Sequence, residues 1–156
     1  PDLGIVVPSL SECREMTKEY RAAYPEIFEW KTWMVEEMRR RGYAATLYGH
    51  RRFLPDLNSP IQALRGMAER AGLNLIIQGT AGQIIKLAMN LIASEMAHYD
   101  ADLRNQVHDE IWGLVRESKG EEWLDVVAQC MVLDQPLRPV PIVVEPRLID
   151  NWKELK

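Results

Sequence analysis

Between residues 84 and 92 the sequence places Ile84, Ile85, Leu87, Ala88, Met89, Leu91 and Ile92, interrupted only by Lys86 and Asn90. A helix with so little polar face is expected to be buried, so the rest of the chain has to cover it. Helical spacing extends around it from Ile61 to about Tyr99. Thr80-Ala81-Gly82-Gln83 has the form of a helix start, which leaves one bent helix or two with a joint near Gly79.

The other elements read as partners for that helix. Ser9-Leu10-Ser11-Glu12 matches a capping box, in which Ser9 and Glu12 satisfy each other's free backbone donors, and a helix follows to about Ala23. Pro25 opens a second helix. Ile27, Trp30, Met34 and Met38 share one side of it, and it is expected to end at Gly42 after three arginines that complement its dipole. Tyr43 to Tyr48 reads as a strand running into a turn at Gly49, and Pro55 to Pro60 as a loop. Ala101–Val107 and Ile111–Val115 read as a hairpin with His108-Asp109-Glu110 as its polar tip. Gly120 to Leu133 is amphipathic through Trp123, Leu124, Val127 and Met131. Val140 to Val144 is a last strand able to join the hairpin. The expectation is an α+β fold, a small antiparallel sheet and its hairpin packed against long helices.

At 156 residues the chain can bury a core. Nineteen Lys and Arg stand against 23 Asp and Glu, a formal charge of −4, which excludes a small basic DNA-binding module. Any nucleic-acid contact has to be local. Arg39, Arg40 and Arg41, followed by His50, Arg51 and Arg52, offer one cluster, though a solvated helix end accounts for it as well. Cys13 and Cys130 have neither metal spacing nor a disulfide framework, which reads as packing in a cytosolic chain. No signal peptide is evident and no apolar run reaches spanning length, so no membrane partner is expected. Pro1 in place of a start methionine, with the motifs below, suggests a fragment, a split gene product or a processed chain.

Chemistry is concentrated in two places. Gln106-Val107-His108-Asp109-Glu110 puts two carboxylates and an imidazole at a hairpin tip, where acidic residues are also common as plain turn formers. Arg70, Asn74 and Gln78 recur every four residues, a slowly drifting stripe on a continuous helix about 12 Å long. Planar amides and a guanidinium suit the minor-groove acceptors that every base pair presents in similar places, so such a row could test pair geometry without reading sequence. From spacing alone, a solvated helix edge is the favoured reading.

Thr46 to Ser59 (Thr-Leu-Tyr-Gly-His-Arg-Arg-Phe-Leu-Pro-Asp-Leu-Asn-Ser) resembles the turn and loop that follow the fingers helices of family A DNA polymerases. Ala68-Glu69-Arg70, Asn74, Ile77 to Ala81 and Ile85 to Met89 resemble that family's long palm helix, and Gln106 to Glu110 its third palm motif. Tyr20 to Pro25 with Trp30 resemble the segment after the fingers, and Asn151-Trp152-Lys153 the C-terminal end. The resemblance implies a helical segment over 1–42 followed by a palm portion over 43–156. It implies template-directed DNA synthesis by two magnesium ions, with primer–template DNA and deoxynucleoside triphosphates as partners. Asp109 would bind metal, Glu110 would assist, and His108 would approach the primer terminus. Arg70, Asn74, Gln78 and Gln106 would meet the duplex, and Arg51 and Arg52 its phosphates. Hard oxygen donors suit magnesium, and phosphoryl transfer is chiefly positioning and charge stabilisation.

Departures from the family pattern bear on activity. The family's second metal-binding Asp, on an Asp-Tyr-Ser type motif, and its nucleotide-binding fingers helix have no counterpart here, and Asp2 stands in the wrong context. The isolated chain is therefore expected to be incomplete, with the missing N-terminal polymerase half as its partner. His50 stands for an Arg, Gly82 for an Ala, and Arg104-Asn105 interrupt an apolar strand, a departure toward phage-type enzymes. Alternation puts Arg104 on one face with Gln106 and His108. Bacterial or phage-encoded origin is open, and a polymerase would be nucleoid-associated. A non-catalytic remnant that binds duplex DNA or a protein is the other reading. A single-subunit RNA polymerase relative fits less well, since Glu110 stands where that group has Ser.

Overall fold

A computed structural model describes residues 8–132 and 140–154. The chain divides into two compact units, residues 1–44 with 52–73, and residues 45–51 with 74–156. The first holds three helices: α1 (Leu10–Ala23), α2 (Pro25–Arg41) and most of α3 (Gln62–Asn74). Ser9 caps α1 as a full capping box. Gly42 ends α2 at φ 78°, a left-handed position that glycine adopts without steric cost. Pro55–Asn58 is a short 3-10 turn with Leu57 buried, so the expected loop carries a core residue. Ala44, Leu57, Met38 and Leu54 are this unit's most buried apolar side chains. A Cβ at Gly72 would meet Met38 Sδ and, at 2.9 Å, Leu54 Cδ1, so α3 reaches this core because residue 72 has no side chain.

The three arginines that end α2 are already engaged. Arg39 pairs with Glu69 at 2.5 Å, and Arg40 and Arg41 each reach Glu37 at 2.7 Å. Glu37 is held below the usual carboxylate range, first by the hydrogen bond from Arg40. Sequence adjacency had grouped these cations with Arg51 and Arg52; pairing makes them helix-end structure.

Tyr43–Ala45 (β1) and Arg51–Phe53 (β2) pair as a two-stranded ribbon. The expected strand to Tyr48 stops three residues early because Thr46 opens the turn. Its N–H donates to His50 O at 2.9 Å, Gly49 N–H returns to Thr46 O at 3.0 Å, and Gly49 sits at φ 82°.

In the second unit α4 (Thr80–Tyr99), strands β3 (Ala101–Val107) and β4 (Glu110–Val115), and α5 (Gly120–Val132) surround one core. Ile92, Trp123 and Cys130 form its centre. Ala101, Leu103, Ile111 and Val115 pack on it from the hairpin, and Met96 and Tyr99 from α4. The joint between α3 and α4 is a π-helical turn, Leu75–Gly79, so the helical path from Gln62 to Tyr99 is unbroken. Its length and mean hydropathy would also suit a membrane span by those two measures alone, although its apolar residues are spread over a window rather than gathered in one run. Burial of the 84–92 stretch is also one-sided. Ala88 and Ile92 are buried, while Leu87 and Leu91 are 44% and 38% exposed, because the hairpin and α5 cover one side only.

Two strand expectations change. Val140–Val144 joins no sheet among the described residues, and β3–β4 stays two-stranded. Pro141 has no N–H to donate to a ladder, although Ile142 and Val144 keep their inward alternation. The hairpin tip is shorter than expected, since Glu110 opens β4 opposite Val107. Leu133, the expected end of α5, and Asp2 lie outside the described residues.

Candidate catalytic hairpin and nucleic-acid surface

Antiparallel pairing delivers His108 and Asp109 as a two-residue turn. Ala101 faces Val115, Asp102 faces Leu114, Leu103 faces Gly113, then Asn105 faces Trp112 and Gln106 faces Ile111. Arg104 is the extra residue of a β-bulge. Directly paired residues share a sheet face, so Gln106 lies on the face of Ile111, which is also the face of Ala101, Leu103 and Val115. Simple alternation had put Gln106 with Arg104 on the other face; the bulge reverses it. Gly113 permits this close ladder, since a Cβ there would stand 2.8 Å from Asp102 O. A glycine inside a strand pattern was the available sequence signal. Arg104 is exposed and pairs with Asp102 at 2.7 Å.

His108 has φ 52°, an uncommon conformation for a residue with a Cβ. Gln106 Nε2 donates to His108 O across the turn, and Gln106 N–H donates to Asn105 Oδ1 at 2.8 Å. The turn is thus tied by a side chain that the sequence reading had reserved for DNA. Asp109 and Glu110 follow, both exposed. Their oxygens are hard donors of the kind magnesium takes, and that ion is commonly held by one or two carboxylates together with substrate phosphates. Among the described residues no group of three or more His, Cys, Asp or Glu could hold a metal. The two carboxylates at the hairpin tip are thus too few for a cage among the described residues.

Asn74 ends α3 and Gln78 lies in the π turn; both are exposed. Arg70 is an exposed residue of α3 in the first unit, its guanidinium laid back toward Gly66, where a Cβ would be 3.3 Å from Nη1. Arg51 and Arg52 are exposed on β2. Among these candidates a hydrogen bond joins Gln106 to His108, Arg70 and Asn74 share α3, Arg51 and Arg52 share β2, and Gln78 lies in the π turn. The expected joint near Gly79 is this π turn; its geometry was not foreseen, because its residues read as ordinary apolar helix.

The chain matches the model of DNA polymerase family A over residues 2–154. It is 36% identical over 155 residues to the thermostable DNA polymerase I of Thermus filiformis, covering 99% of this chain and 18% of that protein. With DNA polymerase I of Streptococcus pneumoniae serotype 4 it is 35% identical over 157 residues, covering 99% of this chain and 17% of the relative. It thus spans under a fifth of the length of these curated relatives. Among solved structures it resembles the POL domain of Pol1 from M. smegmatis, in complex with DNA primer-template and dNTP. That likeness has a TM-score of 0.75 and 33% identity, over 80% of this chain and 22% of that one. A match of this extent, with a mostly helical fold and a small antiparallel hairpin, makes the chain a member of DNA polymerase family A.

Proposed function

We propose that this chain is the palm portion of a template-directed DNA polymerase, residues 43–156, preceded by the helical segment that follows the fingers, residues 1–42. The observation that carries the reading is the family match over residues 2–154, in which the acidic turn His108-Asp109 stands exposed at the end of a packed hairpin. The M. smegmatis neighbour was solved with primer-template and dNTP, and we take the same partners for this chain. Asp109 offers its carboxylate to metal, with Glu110 beside it. Two bound magnesium ions would supply activation of the primer 3′-hydroxyl and neutralise charge on the departing pyrophosphate. His108 stands at the turn to meet the primer terminus. Arg70, Asn74 and Gln78 donate to minor-groove acceptors, Gln106 holds the turn beside the duplex, and Arg51 and Arg52 meet phosphates.

The test is primer extension with magnesium, by the chain alone and with the remaining polymerase segments of a family relative supplied as a second polypeptide. Synthesis is expected only from the combination. Synthesis by the chain alone would show a second metal ligand within these residues. Failure of both, with the two polypeptides associated, removes the catalytic reading. A second reading is a duplex-binding protein without catalysis. Duplex binding with no synthesis by the combination would select it.

A further inference from the structure

We infer that Thr80 is a positioning residue, whose buried hydroxyl holds the π turn that aims Gln78 at the duplex; this rests on the duplex reading above. Thr46 and Thr80 are buried polar side chains, 5% and 4% exposed, within the second unit. Thr80 Oγ1 donates to Ile76 O at 2.5 Å, inside the π turn, and accepts the N–H of Leu47 at 3.2 Å. Thr46 Oγ1 accepts the N–H of His50 at 3.1 Å. Gly79 lets the two elements close up: a Cβ there would stand 2.9 Å from Thr46 Cγ2 and 3.1 Å from Leu75 Cδ1. One hydroxyl thus ties the turn after β1 to the backbone on which Gln78 sits.

Geometry gives that tie a consequence. In an α-helix four residues make slightly more than a turn, so Gln78 would drift past Asn74 by about 40°. In a π turn four residues fall short of a turn, and the drift runs the other way. Relaxation of Leu75–Gly79 to α-helix would therefore swing Gln78 away by most of a right angle. The carbonyl of Ile76, gripped by Thr80, is within the segment that would have to rewind. A valine at position 80 keeps the shape of the side chain and loses both hydrogen bonds, whereas a serine keeps them.

The experiment measures binding of a fluorescent primer–template duplex to the full chain at one fixed salt concentration, for the parent, Gln78→Ala, Thr80→Val, Thr80→Ser and the Gln78→Ala/Thr80→Val double variant. Gln78→Ala and Thr80→Val are each expected to raise Kd about fivefold. The double variant should be no weaker than either, and Thr80→Ser should stay within about twofold of the parent. Circular dichroism and thermal melting accompany each variant, so that Thr80→Ser and the double variant decide the matter even if Thr80→Val is less stable. If the losses of the two single variants multiply, Thr80 acts on stability alone and the inference is overturned. If Gln78→Ala weakens binding and Thr80→Val does not, the inference fails while the duplex reading stands. If Gln78→Ala binds like the parent, or the parent binds no duplex, the duplex reading itself fails and this inference with it.

Discussion

Asp109 is an exposed carboxylate one position beyond a residue in the left-handed region. Left-handed backbone at a residue other than glycine costs on the order of 1 kcal/mol or more and persists where its surroundings enforce it. Here the surroundings are the two-residue turn closed by Val107 and Glu110, with Gln106 reaching forward to His108 O. That fixes the prediction for the acid. Asp109→Asn keeps size and turn compatibility but removes the negative charge that a divalent ion needs. In the combined polymerase it is expected to abolish primer extension while leaving duplex affinity within about twofold, as read by gel assay and anisotropy. Extension at the parental rate would remove Asp109 from the metal site. The acidic tip was legible because His108-Asp109-Glu110 sits between two β-prone runs. The face on which Gln106 lies was not, since its register depends on the bulged residue Arg104, which faces no residue of β4.

At the scale of elements, local chemistry was legible where it closes on itself. The box at Ser9 and Glu12, the Pro25 start of α2 and its Gly42 stop each depend on residues within a turn of one another. Glu12 carries a testable sign. The Ser9 hydroxyl at 2.7 Å, then the Ser9 N–H at 2.7 Å, hold its carboxyl below the usual carboxylate range. A folded pKa below the unfolded one means the stabilisation is fully present above the unfolded value and lost as pH falls through the folded one. Helix α1 is therefore expected to fray only as pH falls below the range where an ordinary glutamate titrates. Ser9→Ala should move the titration of the Glu12 side-chain carbon, followed by NMR, back toward an ordinary glutamate. An unmoved titration would mean the box does not hold in solution. Illegible elements were those set by distant partners. The π turn, anchored through Thr80 to Leu47 in the turn after β1, does not follow from its own residue pattern.

Across the whole molecule, charge decides how any DNA is met. Nineteen cationic side chains face 23 acidic ones, and Arg39, Arg40 and Arg41 are taken up by Glu69 and Glu37. The fold class was legible from long helical spacing around one hairpin. Which cations are drawn into ion pairs was not, because ion pairing is a matter of three-dimensional proximity. Of the proposed DNA contacts, the cations are Arg51, Arg52 and Arg70. Each neutralised phosphate contributes about −0.9 to the slope of log K against log salt, so a slope between about −2 and −3 is expected. That is shallow beside the dependence of strongly basic DNA binders. Arg51→Ala should reduce the slope by about one, whereas Gln78→Ala, which removes no charge, should lower affinity at every salt concentration and leave the slope alone. Titrations over a range of potassium chloride separate the two behaviours. A slope unmoved by Arg51→Ala would take that side chain off the phosphates. A slope changed by Gln78→Ala would mean that its loss shifts the duplex on the surface, so that the amide sets register as well as affinity.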